Sequence, residues 1–348
     1  MSLENGARLG LVGCGRVGLE ILRHSLNGAS EVAAIASRQP MSAYLPLISF
    51  DSKYPGQNRH VEAFEDGFDV EGHKVKFLQL DKTGSNLWNW REMGANIVVD
   101  TTGRGKKTPV AEFAQVNIDN GANAVIISCP TKDDTPHYVM GVNHSKYHGE
   151  RIVSNASCTT NATAPLLKIM LDNFGGHIDT VSALTVHALT KSNDQSLDTT
   201  NPKPRMGRSS QRNIIPASTG AAKAVLKVLP ELDEMGIPIS ISAIRVPTTD
   251  VSELDVNFSL KPGHSIKKEE VLQAILEASQ ENMKGIVGIA PENAVSSQFT
   301  GSGLSVVVLP DEVSVTNDRL VRISAFYDNE SGYARRCADL ANHMSQNL

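Results

Sequence analysis

The sequence predicts an α/β protein in which a parallel-sheet half precedes an α+β half with a mostly antiparallel sheet. Three observations support this prediction. Strand and helix signals alternate in the first half, a glycine-rich turn joins the first strand to the first helix, and strand patterns dominate the second half. The 348 residues suit two domains of about 150 residues each. The hydrophobic fraction of 40% is typical of a packed globular fold.

The first elements surround a glycine motif. An apolar run at residues 8–12 leads into Gly13-Cys14-Gly15-Arg16-Val17-Gly18, and an amphipathic stretch at 19–26 and an apolar run at 32–36 follow. Glycines let the backbone approach a pyrophosphate, and N–H groups at a helix N-terminus receive its charge. In this strand–turn–helix–strand context the motif predicts a Rossmann-type dinucleotide-binding domain, whereas a bare GxGxxG would favour a structural turn.

Further strand and helix signals extend the first half. Strands are predicted at 97–100 and 124–127, and between them a helix at 110–118, with Thr108 as its N-cap and Pro109 as its first residue. Because parallel strands present ligand contacts at their carboxyl ends, the residues after these strands are candidates for cofactor binding. A hairpin insertion is predicted upstream, at 68–80.

The second half has a different pattern. Strands are predicted at residues 181–189, 239–246, 254–260, 304–309 and 320–327. Helices are predicted at 219–229, at 266–279 with Ser265 as N-cap, and at 334–344, where an amphipathic helix ends the chain. This combination indicates an α+β domain.

Charge and cysteine content exclude several classes. A net charge of −5 argues against a dedicated nucleic-acid or membrane-surface binder, and no apolar run approaches the ~18 residues of a membrane span. The four cysteines are scattered without a CxxC, so neither a disulfide framework nor a metal site is expected. We therefore expect a cytoplasmic protein with reduced thiols.

The residues around one cysteine indicate that it is a candidate nucleophile. Cys158, within SNASCTTN at 154–161, follows a strand and precedes an apolar stretch at 162–170, so we predict it at a helix N-terminus, where the dipole favours the thiolate. A buried structural cysteine is the alternative, but hydroxyl and amide neighbours favour a nucleophile. Pro165 leaves the regularity of the first turn open. His187, inside an apolar strand where an imidazole is costly unless it is used, is the candidate base.

Several long motifs carry a family resemblance. The chain resembles the phosphorylating glyceraldehyde-3-phosphate dehydrogenases over essentially its whole length. The motifs that carry this resemblance are GCGRVG at 13–18, VMGVNHSKY at 139–147, SNASCTTN at 154–161, TVHALT at 185–190, NIIPASTGAAKAV at 213–225, RVPT at 245–248 and YDNESGY at 327–333.

The resemblance implies a reaction. Cys158 would attack the aldehyde of glyceraldehyde 3-phosphate to give a thiohemiacetal, and His187 would act as general base and stabilise the oxyanion. Hydride would pass to NAD or NADP, and inorganic phosphate would cleave the acyl thioester to 1,3-bisphosphoglycerate. Glycolytic and gluconeogenic directions use the same groups and both stay open.

The resemblance also assigns two anion sites. The first, for the substrate phosphate, involves Thr190 and Arg245, with Arg205 between the sites or shared. The second, for the attacking phosphate, involves Ser157, Thr159, Thr219 and Gly220. No acidic residue occurs between 199 and 230, so this stretch supplies positive charge locally.

Cofactor contacts are implied likewise. Asn329 would hold the nicotinamide carboxamide, with Tyr333 packed nearby. The remaining cofactor-binding candidates are Gly13, Gly15, Arg16, Val17, Ser37, Arg38, Thr102, Gly103 and Ser128.

One departure from the family pattern affects the cofactor. Ser37, beside Arg38, stands where NAD-preferring members carry an acidic residue that binds the ribose 2′-hydroxyl. Losing a carboxylate and gaining a guanidinium favours a 2′-phosphate, so NADP is expected to be accepted and favoured over NAD. The alternative is that Ser37 simply bonds the 2′-hydroxyl of NAD. The loop at 191–201 is also divergent, which leaves its roles open.

The expected organisation is a dinucleotide-binding domain at 1–157, onto which a C-terminal segment at 328–348 packs back, and a catalytic domain at 158–327. A homotetramer is expected from the family. Two other functions stay open: an erythrose-4-phosphate dehydrogenase on the same scaffold, and a non-catalytic NADP-binding regulator.

Overall fold

A computed structural model describes residues 6–28, 30–80, 88–191 and 195–348 of the chain. It divides into two compact units. The first comprises the described residues of Met1–Ser157 together with Tyr333–Leu348, and the second comprises those of Cys158–Gly332. Residues 192–194 of the divergent loop lie outside the described residues.

The first unit is built on one sheet. Its strands are β1 (Arg8–Val12), β2 (Glu31–Ser37), β3 (Val61–Phe64), β4 (Gly67–Val70), β5 (His73–Gln79), β6 (Ile97–Asp100), β7 (Ala124–Ile127) and β8 (Ile152–Ser154). Within the described residues their order is β3-β4-β5-β2-β1-β6-β7-β8. From β5 to β8 every neighbouring pair is parallel, which confirms the predicted parallel sheet.

The predicted hairpin at 68–80 is present but is more than an insertion. β4 and β5 pair antiparallel around Glu71 and Gly72, and β5 then continues as the parallel neighbour of β2. The hairpin therefore extends the sheet through the β5–β2 pairing, and its side chains Phe68 and Val75 are buried.

Helices α1 (Arg16–Leu26), α2 (Leu45–Ser49) and α3 (Ala111–Asp119) also belong to the first unit. The predicted cap of α3 is wrong. Val110, not Thr108, is the N-cap, Pro109 lies outside the helix, and the Val110 N–H donates to the Asp133 carboxylate at 2.8 Å. A carboxylate from a distant loop satisfies this donor, and local sequence contains no signal for it.

The second unit has a mixed sheet. Its strands are β9 (Ile178–His187), β10 (Ile215–Ala217), β11 (Ile239–Arg245), β12 (Ser252–Leu260), β13 (Val287–Ile289), β14 (Val306–Val308), β15 (Ser314–Thr316) and β16 (Leu320–Tyr327). Their order in the described residues is β10-β11-β9-β12-β16-β14-β13, with β15 on β16. The β9–β11 and β13–β14 pairs are parallel and the other pairs antiparallel, which confirms the mostly antiparallel prediction.

The remaining helices are α4 (Cys158–Phe174), α5 (Ala221–Val228), α6 (Glu231–Glu234), α7 (Lys268–Gln280) and α8 (Ser331–Ser345). The predicted Ser265 cap of α7 is wrong. The N-cap is Lys267, whose backbone N–H donates to the Glu270 carboxylate at 2.7 Å. The Glu270 carboxylate thus satisfies the N–H of the N-cap residue itself, a different donor from the N–H groups one turn into the helix that a serine hydroxyl at the N-cap would bind.

The topology of the first sheet creates a site for a ligand. β1 has β2 on one side and β6 on the other, so the chain changes direction across the sheet between β1 and β6. At that point the Thr101 N–H donates to the Val12 carbonyl at 2.9 Å, and its hydroxyl donates to the Gly13 carbonyl at 2.8 Å. Ligands of open α/β sheets bind in such a crevice, at the carboxyl ends of the strands.

Gly10 provides a test of how β1 is packed. A Cβ at Gly10 would lie 2.5 Å from the Trp90 ring, and the Trp90 indole is fixed by its bond to Asn117. We expect Gly10→Ala to lower the free energy of unfolding by about 1–3 kcal/mol through overpacking. Chemical denaturation measures the change. The control, Gly56→Ala, adds a Cβ with nothing within 4 Å and should stay within about 0.5 kcal/mol of wild type. Equal stabilities of the two variants would contradict this packing argument.

Candidate active site

Cys158 is the first residue of α4, as the sequence predicts, and the helix continues through Pro165. The segment before it is tightly held within the first unit. Ala156 adopts a left-handed φ of +53°, its N–H donates to the Ser154 hydroxyl at 3.0 Å, and its carbonyl accepts a bond from the Tyr333 phenol at 3.1 Å. A left-handed conformation is uncommon for a residue with a Cβ. These two bonds fix the turn that leads into the cysteine.

Cys158 and His187 lie together. Cys158 Sγ is 3.6 Å from Nε2 of His187, the last residue of β9. The other ring nitrogen, Nδ1, has two neighbours: the Ala188 carbonyl at 2.8 Å and Arg245 Nη1 at 2.5 Å. Nδ1 cannot serve both in one state, because the carbonyl needs a donor there and the guanidinium needs an acceptor.

The two tautomers of His187 therefore have different uses. When Nδ1 carries the proton and donates to Ala188, Nε2 is an acceptor and can take a proton from the Cys158 thiol. When Nδ1 accepts from Arg245, Nε2 carries the proton and can donate to a developing oxyanion. One imidazole can thus serve as base and as hydrogen-bond donor without moving.

Arg245 places a positive charge beside this pair. It is the last residue of β11, opposite His187 in the parallel register, and its Nη1 donates to the Ala188 carbonyl at 3.0 Å. Burial lowers the pKa of Arg245, and the nearby Cys158 and Tyr327 oppose that shift. The guanidinium remains protonated, so it is a fixed cation within reach of an anion at the cysteine.

Tyr327 contacts the residues around the Cys158–His187 pair, and it was not among the site residues predicted from the sequence. Its ring meets the His187 ring edge-on, with 6.0 Å between centroids, and its phenol bonds the hydroxyls of Thr185 (2.7 Å) and Thr159 (3.2 Å). Burial raises the pKa of Tyr327, so the phenol stays neutral. The period of β9 places Thr185 and His187 on one face of that strand, but it does not identify Tyr327 of β16 as their partner.

The side-chain amide of Asn329 has a hydrogen-bond partner for its oxygen but, among the described residues, none for its nitrogen. Ser252 accepts a bond from the Ala188 N–H at 3.0 Å and donates to Asn329 Oδ1 at 3.1 Å. Val251, just before Ser252, adopts a left-handed φ of +59°. Within the described part of the chain the buried Asn329 Nδ2 has no hydrogen-bond partner. An amide donor held in this way suits the carboxamide oxygen of a nicotinamide.

The other residues predicted for anion binding are dispersed. Ser157 ends the first unit, Thr159 is bonded to Tyr327, and half-buried Thr190 follows β9. Arg205 is exposed in the turn Pro204–Gly207, and Thr219 and Gly220 precede α5. Among the described residues, no hydrogen bond joins Arg205, Thr219 or Gly220 to the Cys158–His187 pair. Thr219 Oγ1 accepts from the Ala221 N–H at 3.1 Å, which leaves its own hydrogen to donate.

The glycine turn of the first unit fits a dinucleotide phosphate. Gly13 has a φ of +82°, and a Cβ at Gly18 would lie 3.0 Å from the Gly13 carbonyl, so both positions favour glycine. Gly15 caps α1 with open space where a Cβ would be. Arg16 and half-buried Val17 open the helix, and Arg16 Nη1 pairs with Asp51 at 2.6 Å. The backbone can therefore be approached closely at this helix N-terminus.

The remaining cofactor candidates lie at carboxyl ends of strands in the same unit. Thr102 and Gly103 follow β6, with Gly103 at φ +72°. Ser128 follows β7 and bonds the Asp100 carbonyl at 2.9 Å through its hydroxyl. Ser37 ends β2 with its hydroxyl 2.6 Å from the Tyr44 phenol, and Arg38 beside it is exposed.

The other three cysteines have a different environment from Cys158. Cys14, Cys129 and Cys337 are buried, whereas Cys158 is only half-buried. Burial raises the pKa of Cys14 and Cys337 to about 12 and that of Cys129 to about 11. These three thiols are therefore protonated and inert near neutral pH.

A Rossmann-type unit combined with a cysteine–histidine pair in a second unit defines a class, the nicotinamide-dependent oxidoreductases that act on aldehydes. Comparison with known proteins specifies the family. Residues 7–108 match the family model "Glyceraldehyde 3-phosphate dehydrogenase, NAD binding domain", and residues 157–329 match the model of its C-terminal domain. The chain therefore belongs to the glyceraldehyde 3-phosphate dehydrogenase family.

Individual relatives agree with this assignment. The chain is 39% identical over 342 residues to glyceraldehyde-3-phosphate dehydrogenase of Chlamydia pneumoniae, covering 96% of this chain and 98% of the relative. It is 38% identical over 343 residues to glyceraldehyde-3-phosphate dehydrogenase 1 of Kluyveromyces lactis (97% and 99%). It is 39% identical over 345 residues to the cytosolic enzyme of Chlamydomonas reinhardtii (97% and 97%).

The described residues also bear on membrane insertion and on metal binding. Of the helices in the described residues, none has the length and apolar character needed to span a bilayer. The same residues contain no group of three or more histidine, cysteine or acidic side chains arranged to hold a metal ion.

The contrast among the cysteines leads to a labelling prediction. At pH 8 a thiol with a pKa of 11–12 is only about 10⁻³ to 10⁻⁴ ionised, so the three buried cysteines should not react with iodoacetamide. We expect one modified residue per folded chain, Cys158, identified by peptide mass spectrometry. Cys158→Ser should abolish the labelling, and unfolding in guanidinium should expose the other three. Rapid labelling of a buried cysteine in the folded protein would contradict the assignment.

Proposed function

We propose that this protein is a phosphorylating glyceraldehyde-3-phosphate dehydrogenase. It oxidises glyceraldehyde 3-phosphate with a nicotinamide dinucleotide and inorganic phosphate and releases 1,3-bisphosphoglycerate. The observation that carries the proposal is the 3.6 Å approach of Cys158 Sγ to His187 Nε2, beside the Arg245 guanidinium, in a chain of this family.

The first step forms a bond between Cys158 Sγ and the aldehyde carbon. The thiol proton goes to His187 Nε2, which is an acceptor while Nδ1 donates to the Ala188 carbonyl. The aldehyde oxygen becomes an oxyanion, which the protonated Nε2 stabilises and then protonates to give the thiohemiacetal. Transferring the proton to a positioned base contributes about 10²- to 10⁴-fold to the rate.

Oxidation and phosphorolysis follow on the same sulfur. The bound nicotinamide supplies the acceptor for the hydride that leaves the thiohemiacetal carbon. His187 takes the hydroxyl proton as the C=O bond forms, and an acyl thioester remains on Cys158. A phosphate oxygen then bonds to the acyl carbon, the C–S bond breaks and Cys158 leaves as a thiolate, which Arg245 stabilises through its charge.

The anions are held by the dispersed polar residues. We assign Thr190 and Arg245 to the substrate phosphate, and Ser157, Thr159, Thr219 and Gly220 to the attacking phosphate. Arg205 lies between the two sites or is shared by them. Because the Thr159 hydroxyl is bonded to Tyr327, Thr159 contributes through its backbone N–H at the start of α4. Thr219 contributes the hydroxyl hydrogen that its local bond leaves available.

The cofactor is assigned to the first unit and to Asn329. The glycine turn binds the pyrophosphate, Thr102, Gly103 and Ser128 line the crevice, and Asn329 Nδ2 donates to the nicotinamide carboxamide. Tyr333 acts through the turn before Cys158, whose Ala156 carbonyl it holds. NADP is favoured over NAD, because Ser37 and the exposed cation Arg38 stand at the ribose end of β2.

The organisation proposed for the active protein is a cytoplasmic homotetramer. Each chain has a dinucleotide-binding domain at 1–157, with the segment 328–348 returning to it, and a catalytic domain at 158–327. The compact units support this division, although they group residues 328–332 with the second unit.

The activity is tested by nucleotide reduction with glyceraldehyde 3-phosphate, followed by absorbance. Reduction should require inorganic phosphate or arsenate, and Cys158→Ser should abolish it. His187→Asn should lower kcat by about 10²- to 10⁴-fold. Cys129→Ala, which removes a buried thiol, is the control and should keep activity. Faster turnover of erythrose 4-phosphate would favour that rival enzyme, and no turnover of either aldehyde would favour a binding-only regulator.

The cofactor preference is tested by comparing kcat/KM for NADP and NAD. We expect a higher value for NADP, and Ser37→Asp should shift the ratio at least about tenfold toward NAD, because a carboxylate repels the 2′-phosphate and accepts from the ribose hydroxyls. Ser52→Asp, which adds the same charge at an exposed serine of the same unit, should leave the ratio near wild type. A large NAD preference in the wild type would refute the proposal.

A further inference from the structure

The hydroxyl of Ser37 has an unusual set of neighbours at the carboxyl end of β2. Ser37 is only 5% exposed, and its Oγ lies 2.6 Å from the Tyr44 phenol oxygen and 3.4 Å from the Gln39 backbone nitrogen. A serine oxygen offers one hydrogen and two acceptor positions. Which of these is left for a ligand depends on the direction of the two bonds.

The direction is fixed for the Gln39 bond, whereas in the hydroxyl pair either oxygen can be the donor and acidity favours the phenol. The Gln39 N–H can only donate. Of the two hydroxyls, the phenol is the more acidic, so it is the better donor and the poorer acceptor. Burial raises the pKa of Tyr44, so the phenol keeps its proton at working pH. Both acceptor positions of Ser37 are then filled, and within the described residues its own O–H has no acceptor.

We infer that Tyr44 is a positioning residue for cofactor selection: by donating to Ser37, it turns the Ser37 O–H into a dedicated donor toward the 2′ position of the cofactor's adenosine ribose. This inference rests on the proposed preference for NADP. A 2′-phosphate is an acceptor with negative charge, and it matches such a donor. A ribose 2′-hydroxyl is matched poorly, since it is neutral and its own hydrogen finds no acceptor at Ser37.

The backbone holds Tyr44 in place for this role. Its N–H donates to the Met41 carbonyl at 2.8 Å, and its carbonyl accepts from the Ile48 N–H at 2.9 Å at the start of α2. Its ring packs against Phe77 of β5, with 5.8 Å between centroids. The phenol therefore stays directed at Ser37, while Arg38 is exposed and supplies positive charge. Selection of the 2′-phosphate is thus divided between the positive charge of Arg38 and the oriented hydroxyl of Ser37.

The test measures binding of two nucleotides that differ only in the 2′-phosphate. Calorimetric titration of the protein with adenosine 2′,5′-bisphosphate and with adenosine 5′-monophosphate gives a ratio of Kd values without any turnover. Wild type should bind the bisphosphate more tightly. Tyr44→Phe, which keeps the ring, should reduce that ratio about five- to tenfold and leave the Kd of the monophosphate unchanged. Tyr138→Phe, which removes a phenol bonded to Glu150 in the same unit, should leave the ratio unchanged.

A second variant shows whether Tyr44 acts through Ser37. Ser37→Ala should reduce the ratio by a similar factor, and adding Tyr44→Phe to it should have no further effect. If Tyr44→Phe lowers Tm too far for titration, Ser37→Ala still provides a test, because a wild-type ratio of Kd values in that variant would overturn the inference.

The outcomes separate this inference from the proposed function. If wild type prefers the bisphosphate and folded Tyr44→Phe keeps that preference, the role of Tyr44 is wrong and NADP selection stands. A further loss in the double variant would mean that Tyr44 contacts the ligand directly, which overturns the positioning role. If wild type does not prefer the bisphosphate, both the NADP preference and the role of Tyr44 are wrong.

Discussion

The chemistry of the second unit depends on one buried phenol. Tyr327 bonds Thr185 of β9 and Thr159 of α4 and meets the His187 ring edge-on, so a single side chain of β16 sets the start of the helix against the end of the strand. Cys158 is adjacent to Thr159 in sequence, and His187 is two residues beyond Thr185. These hydrogen bonds accompany the 3.6 Å approach of the two residues, and the register of β9 and β11 sets Arg245 opposite His187. Because the phenol is neutral, it adds no negative charge that would compete with an anionic ligand for Arg245.

Local charge matters more here than the charge of the whole chain. A net charge of −5 describes the surface, and every proposed ligand carries negative charge. The compensating cations are placed individually: Arg245 at the cysteine, Arg205 in an exposed turn, and Arg38 after β2. Net charge argues against a large polyanionic partner but says nothing about small anionic ligands, because a few guanidinium groups in fixed positions suffice for those.

Features that follow from periodicity and residue type could be predicted from the sequence. Features that depend on one particular side-chain partner could not, whether that partner is 23 residues away, as Asp133 is from Val110, or three, as Glu270 is from Lys267. The glycine turn, the strand limits around it and the start of α4 at Cys158 follow from local periodicity and residue type, and the structure agrees with them. The Asp133 cap of α3, the Lys267 start of α7 and the Tyr44–Ser37 bond depend on side chains whose partners periodicity does not identify. Tyr327 was hidden for the same reason, since an aromatic residue ending an apolar strand predicts only burial. The roles of the anion- and cofactor-binding residues stay predictions.

Two non-glycine residues with left-handed backbone, Ala156 and Val251, directly flank this machinery. Such conformations cost free energy that the surrounding bonds must offset, and they persist where the geometry is over-determined. Substitutions that relax these two backbone conformations would therefore raise the free energy of unfolding. A lineage adapting to heat, or an engineer screening for a higher Tm, would find relaxing substitutions there, and would find them coupled to the alignment of Cys158 through Ala156 and of Asn329 through Val251. We therefore expect substitutions that raise Tm at Ala156 or Val251 to alter the positions of Cys158 or Asn329 as well.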